Sequence, residues 1–197
     1  MPATHILFVA WQGAEEKSTQ ARAWAKTGNK SKSKDGERRF KAVIYHPRKQ
    51  SENLKRMQVG QIYILGHGAA GYANIADIDG DARVELPASE VADRLIKSGL
   101  NPAFMGTFKC FSCDSANSAN GGTAFADEFA YEMRRQEYIH CRYFGYTKPL
   151  EATYANHDFD FDDQNGVFIQ HKHALEHLPN SDRYVPLDRA KNYREEF

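Results

Sequence analysis

Between Ile6 and Tyr146, short runs of β-branched and aromatic residues alternate with stretches of helical period. That alternation predicts a mostly parallel α/β sheet flanked by helices. Strands are expected at Ile6–Ala10, Lys41–Tyr45, Ile62–Leu65, Phe104–Phe111 and Ile139–Tyr146. A helix is expected over Ala14–Lys26, with Ala21, Trp24 and Ala25 inward. Leu86, Val91, Leu95 and Ile96 recur at near-helical spacing, so a second helix is expected over Pro87–Ser98, with Pro87 suiting its first turn and Gly99 its stop. A third, over Thr123–Gln136, turns Phe125, Phe129 and Met133 inward. Beyond Thr147 the pattern changes. The alternating acidic and aromatic run from His157 to Asp163, then Asn165-Gly166 and Val167-Phe168-Ile169, predicts a C-terminal β-hairpin. Residues 1–177 are expected to form one domain and 178–197 a polar tail that wraps the surface or frays. Thr27–Gly36 reads as a flexible loop.

At 197 residues the chain is long enough to bury a core without disulfides or metals. Three cysteines are too few for a disulfide framework and point to a reducing compartment or a reactive thiol. Basic and acidic residues balance at 26 each, which removes any bulk charge argument for nucleic acid. No run approaches the ~20 apolar residues of a membrane span. The start, MPATHILFVAWQG, lacks the basic opening and cleavage site of a secretory signal. The expectation is a soluble product made in the cytoplasm, any export using a dedicated machine.

Chemistry concentrates at two strand ends. The third strand ends at His67-Gly68 and the fourth at Cys113-Asp114. In an open parallel sheet, ligands bind beyond the carboxyl ends of the strands, so both pairs fall on the functional edge. A thiol becomes a useful nucleophile beside an imidazole that takes its proton. Gly68 has no Cβ, so its N–H can approach a carbonyl closely. With the Cys113 N–H it would form an oxyanion hole. Asp114 follows the nucleophile directly; it is a candidate substrate contact, and its charge should raise the thiol pKa unless a cation offsets it. Cys110 and Cys113 form a C-x-x-C, but strand alternation sends them to opposite faces, and neither a helix start nor a second ligand pair accompanies them.

The stretch Ile62-Tyr63-Ile64-Leu65-Gly66-His67-Gly68-Ala69, the helix Leu86–Leu95, Gly99-Leu100-Asn101-Pro102, Cys113, Phe125–Phe129 and Arg142–Tyr146 together resemble the caspase-like (clan CD) cysteine peptidases. They are most similar to the inositol hexakisphosphate-activated autoprocessing protease domains of bacterial repeats-in-toxin proteins. The resemblance covers roughly residues 60 to 150. It implies a caspase-like fold and an endopeptidase using His67 as base and Cys113 as nucleophile, with no third acid required. It also implies a protein or peptide substrate and a role as a bacterial effector or toxin acting on a host protein. The strand before the cysteine departs from the family in carrying Lys109, Cys110 and Ser112.

Between Lys26 and Arg56 eleven lysines and arginines face three carboxylates, an excess of eight positive charges. By the resemblance, an inositol polyphosphate activator would use Lys41 and Arg48 from this stretch with Arg142 and Lys148. No cofactor is required by the dyad, and no metal site is expected. Asp77, Asp79, Gly80 and Asp81 only faintly resemble a calcium loop, since Ala88 stands where the twelfth-position glutamate belongs. His171, His173 and His177 read as surface residues. Two other readings compete with the peptidase. One is a catalytically inactive caspase-like module recruiting an anionic partner through the basic loop. The other is a serine hydrolase built on Gly66–Gly71, for which the G-x-S-x-G elbow has no counterpart around Ser112.

Overall fold

The computed structural model describes residues 3–13, 15–29, 39–79, 82–119, 121–151, 159–162, 167–170, 173–177 and 184–197. In chain order the elements are β1 (His5–Val9), α1 (Glu15–Gly28), β2 (Phe40–Ile44), α2 (Glu52–Arg56), β3 (Gln61–Leu65), β4 (Asn74–Asp79), β5 (Ala82–Pro87), α3 (Ala88–Lys97), β6 (Thr107–Phe111), α4 (Phe125–Arg135), β7 (Arg142–Tyr146), β8 (Leu150–Glu151), β9 (Phe159–Asp162), β10 (Val167–Gln170), β11 (His173–His177), β12 (Tyr184–Arg189) and β13 (Arg194–Glu196).

Six strands make the central sheet, ordered β13-β7-β6-β3-β1-β2. All neighbours are parallel except β13, which runs antiparallel to β7. Strands buried on both faces need largely apolar runs; β1 and β3 supply them, and β6 does so apart from Lys109, whose ammonium donates to Gln61 and Tyr63. Alternation then sorts the side chains. Tyr63 and Phe111 meet Trp24 of α1 on one face. Phe108 and Tyr143 stack on the other, against Phe104 and Phe129. Helix α4 buries Phe125, Phe129 and Met133 there, each worth roughly 1.5–3 kcal/mol relative to exposure. In α3, Val91, Ala92 and Leu95 are buried, and the chain leaves the helix through Gly99, whose φ of 95° is a conformation only glycine adopts without strain. The mixed α/β class and the C-terminal hairpin, here β9 against β10, are as the sequence indicated. Among the described residues no helix is long and apolar enough to cross a membrane.

Four features differ from the sequence reading. The stretch around Asp77, whose acidic residues faintly resemble a calcium loop, is a strand of the β4–β5 hairpin, which docks on the third strand's end through a His67–Ala76 bridge. The fourth strand starts at Thr107 rather than Phe104, because Phe104 folds beneath Phe108 as core packing. Ile139 is exposed and outside the fifth strand, which begins at Arg142 after a turn with Glu137 at φ 71°. Finally, the end of the chain is not a loose tail: β13 closes the β7 edge. There Glu196 accepts two 2.7 Å hydrogen bonds from Arg142, and Arg142 and Arg194 both pack on the Phe144 ring. Such pairing joins positions some fifty residues apart, beyond the reach of local pattern. Helix α1 runs on through Thr27 and Gly28; the rest of the Thr27–Gly36 loop, from residue 30, lies outside the described residues.

Candidate active site

Beyond the carboxyl ends of β3 and β6, two loops lie against each other. Leu65 pairs with Phe111 in the last register position, so the chains leave the sheet side by side. The contact is closest at Gly68: a Cβ there would fall 2.5 Å from the Cys113 carbonyl oxygen and 3.0 Å from the Ser112 Cβ. Only glycine allows this approach. The loop is tied down further on, where the Gly71 N–H donates to the Asn117 carbonyl.

The turn carrying Cys113 is held from below. The buried Ser115 hydroxyl donates to the Cys110 carbonyl at 2.7 Å and accepts from the Tyr146 N–H at 3.0 Å. The Ala126 N–H donates to the Ser115 carbonyl, fastening the turn to α4. Asp114 adopts φ 53°, and its carboxylate accepts from the Asn117 side chain at 2.8 Å. Cys113 is partly exposed, whereas Cys110 faces the core and is fully buried.

His67 is also partly exposed. Its Nε2 sits 3.0 and 3.1 Å from the two carboxylate oxygens of Glu16, in the first turn of α1. Glu16 is also paired with the buried Lys17 at 2.9 Å. Burial favours the neutral form of Glu16, but the hydrogen bonds from Lys17 and His67 outweigh it and hold the carboxyl below its ordinary range. The Lys17 charge also bears on the thiol. Burial pushes the Cys113 thiol up, the Leu150 N–H counteracts, Asp114 raises it further and Lys17 lowers it. The offsetting cation that the Asp114 charge calls for is thus Lys17, supplied by the first helix.

The structure brings together His67, Gly68, Cys113 and Asp114 at one rim. It does not join His67 to Cys113 by a hydrogen bond among the described residues. The imidazole faces Glu16, and the sulfur lies against β8, accepting from the Leu150 N–H at 3.2 Å and donating to its carbonyl at 3.8 Å. Neither the Gly68 nor the Cys113 N–H is taken by a backbone or side-chain oxygen among the described residues. Ser112, the alternative nucleophile, is buried and its hydroxyl has no partner among them, so no base activates it.

The four basic residues assigned to an activator do not make one patch. Lys41 on β2 and Arg142 on β7 are four strand spacings apart, about 19 Å. Arg142 is engaged by Glu196, Arg48 is exposed beyond β2, and Lys148 lies near Asp114. The intervening basic residues at 30, 32, 34 and 38, and the side chains of the Asp158–Asp163 run, His171, His173 and His177, lie outside the described residues.

Sequence reasoning missed Glu16, Lys17 and the placement of Asp77. The available signal for the first two was position alone: a charged pair opening the helix that follows β1 must stand at the same rim as His67. The chain matches no protein-family model and no curated protein.

Proposed function

We propose that the chain is a cysteine endopeptidase in which Cys113 is the nucleophile and His67 the base. The observation that supports this best is the ionic chain at the rim, His67 to Glu16 to Lys17 with Lys17 acting on Cys113, beside the Gly68–Cys113 backbone contact. With Glu16 accepting from Nε2–H, the imidazole lone pair sits on Nδ1, free to take a proton. His67 removes the proton from Sγ, and the thiolate attacks the peptide carbonyl carbon. The oxyanion is held by the Gly68 and Cys113 N–H groups, and His67 passes the proton to the leaving amine. Water then hydrolyses the thioester. Glu16 is a positioning residue that fixes the tautomer, a role the sequence-based dyad lacks. In the resting arrangement burial keeps the thiol protonated and Leu150 covers it, so a substrate strand must displace β8 to reach the sulfur.

The caspase-like resemblance of residues 60 to 150 supports the same reading, including a protein substrate. The test is mass spectrometry of a peptide library treated with wild type, Cys113→Ala and His67→Ala, with and without inositol hexakisphosphate. Wild type should cleave, and each variant should lose about a thousandfold or more. Equal and null cleavage by all three, under both conditions, would overturn the proposal. Activity only with inositol hexakisphosphate would assign the activator.

A further inference from the structure

The carboxylates of Glu16 and Asp77 and the imidazole of His67 each present a ligand atom, and these three atoms lie within 4.8 Å of one another. They come from three separate elements: the first turn of α1, the β4–β5 hairpin, and the end of β3. The hairpin sets this up. The His67 N–H donates to the Ala76 carbonyl at 2.7 Å and the Ala76 N–H returns a bond at 2.8 Å, which carries Asp77 alongside the imidazole. Asp77 is completely buried, so the hairpin holds its carboxylate in place beside the imidazole rather than leaving it to solvent. Asp77 also lines a cavity of about 380 Å³ together with Trp11, Tyr45 and Arg94. The Trp11 indole N–H in that wall is buried and has no hydrogen-bond acceptor among the described residues. The cavity therefore offers room for a further, exchangeable ligand and a donor to hold it.

We propose that Glu16, His67 and Asp77 bind a first-row divalent cation, zinc by preference, and that an occupied site is incompatible with His67 acting as a base. One nitrogen and two carboxylate ligands suit zinc or cobalt(II) better than copper(I), which calls for sulfur. Ligand atoms around a tetrahedral zinc are about 3.3 Å apart, given bonds of about 2.0 Å. Glu16 and His67 already meet that spacing, and the Asp77 ligand atom lies within 4.8 Å of both. A neutral imidazole has one lone pair. If the metal takes it at Nε2, the proton moves to Nδ1, and the nitrogen that would accept the thiol proton becomes a donor. Metal occupancy and general-base function thus exclude each other by tautomer. The binding half stands on geometry alone; the inhibitory half rests only on the Cys113–His67 pairing within the peptidase reading.

The experiment titrates the full chain with cobalt(II), followed by visible absorption, with zinc as competitor, for wild type, Glu16→Gln, Asp77→Asn and Cys113→Ala. One equivalent should saturate wild type and Cys113→Ala alike, without a thiolate charge-transfer band, and each carboxylate variant should weaken binding about tenfold or more. Melting curves check that Asp77→Asn folds; Glu16→Gln, at an exposed position, carries the test if it does not. No saturable uptake at millimolar metal would overturn the site, as would a charge-transfer band lost in Cys113→Ala. The inhibitory half is read by the iodoacetamide labelling rate of Cys113. Saturating zinc should slow it about tenfold or more in wild type, and a chelator should restore it. Cobalt binding without any zinc effect on labelling sinks inhibition but keeps the site. Zinc-slowed labelling in a chain that cleaves no peptide keeps both halves and sinks only the peptidase.

Discussion

Cys110 and Cys113 are three positions apart, and the two thiols report two different regions. Around Cys110 the interior of the sheet is aromatic and closed: Phe108 packs against Phe104, Phe129 and Tyr143, and burial alone pushes the thiol far above its ordinary value. Around Cys113 the rim is charged and incompletely satisfied. Trp11 Nε1 and Ser112 Oγ, both buried and without hydrogen-bond partners among the described residues, lie just past the ends of β1 and β6. Interiors leave few such atoms, because each costs about 1–3 kcal/mol. The difference teaches that stability and chemistry occupy separate stretches of the same strands. The interior holds two parallel chains in register so that their ends, two residues past the last pairing, bring unlike side chains to one edge.

That division can be broken at its strongest point. Phe108→Ala removes a buried ring from the interior and should cost about 3–5 kcal/mol, read by urea unfolding. Any cleavage measured well below the unfolding midpoint should be retained per folded molecule; loss of activity without loss of stability would erase the division. Gly68→Ala acts at the rim. Its Cβ meets a backbone oxygen of Cys113, which cannot swing aside as a side chain would. The Cys113 turn must shift, and cleavage should fall about a hundredfold with a smaller change in melting temperature. Unaltered kinetics would show that the contact does not position the nucleophile.

The mildest change sharpens the electrostatics. Asp114 raises the Cys113 thiol, so Asp114→Asn should lower it, increase thiolate at neutral pH and speed iodoacetamide labelling about two- to fivefold. In wild type the labelling rate should keep climbing with pH beyond the range where an ordinary cysteine levels off, since burial holds the proton on. The variant's profile should level off at lower pH. Coincident profiles would mean that the carboxylate is screened from the sulfur.

Much of the site was legible before the fold. His67-Gly68 and Cys113-Asp114 each end an apolar run, and parallel strands present their carboxyl ends together, so both pairs were assignable to one edge. The strand alternation that separates Cys110 from Cys113 was legible for the same reason. Glu16 and Lys17 were not, because a charged pair at the start of a helix reads as an ordinary solvated turn until its neighbours are known. Asp77 was legible only as an acidic residue in a polar stretch. Its burial against His67 comes from a hairpin whose pairing is set by a bridge to another strand's end.

The sequence by itself determined the alternation of strand and helix, the residues that fill the sheet's two faces and the two strand ends that hold the thiol and imidazole. These follow from local periodicity, which burial of apolar surface turns directly into elements. The tertiary structure alone decided that β13 closes the sheet, that Glu16 rather than Cys113 holds the imidazole at rest, and that Leu150 covers the sulfur. Each of these joins residues between thirty-seven and fifty-four positions apart. Contacts at that separation are fixed by how finished layers dock, and no run of neighbouring residues encodes them.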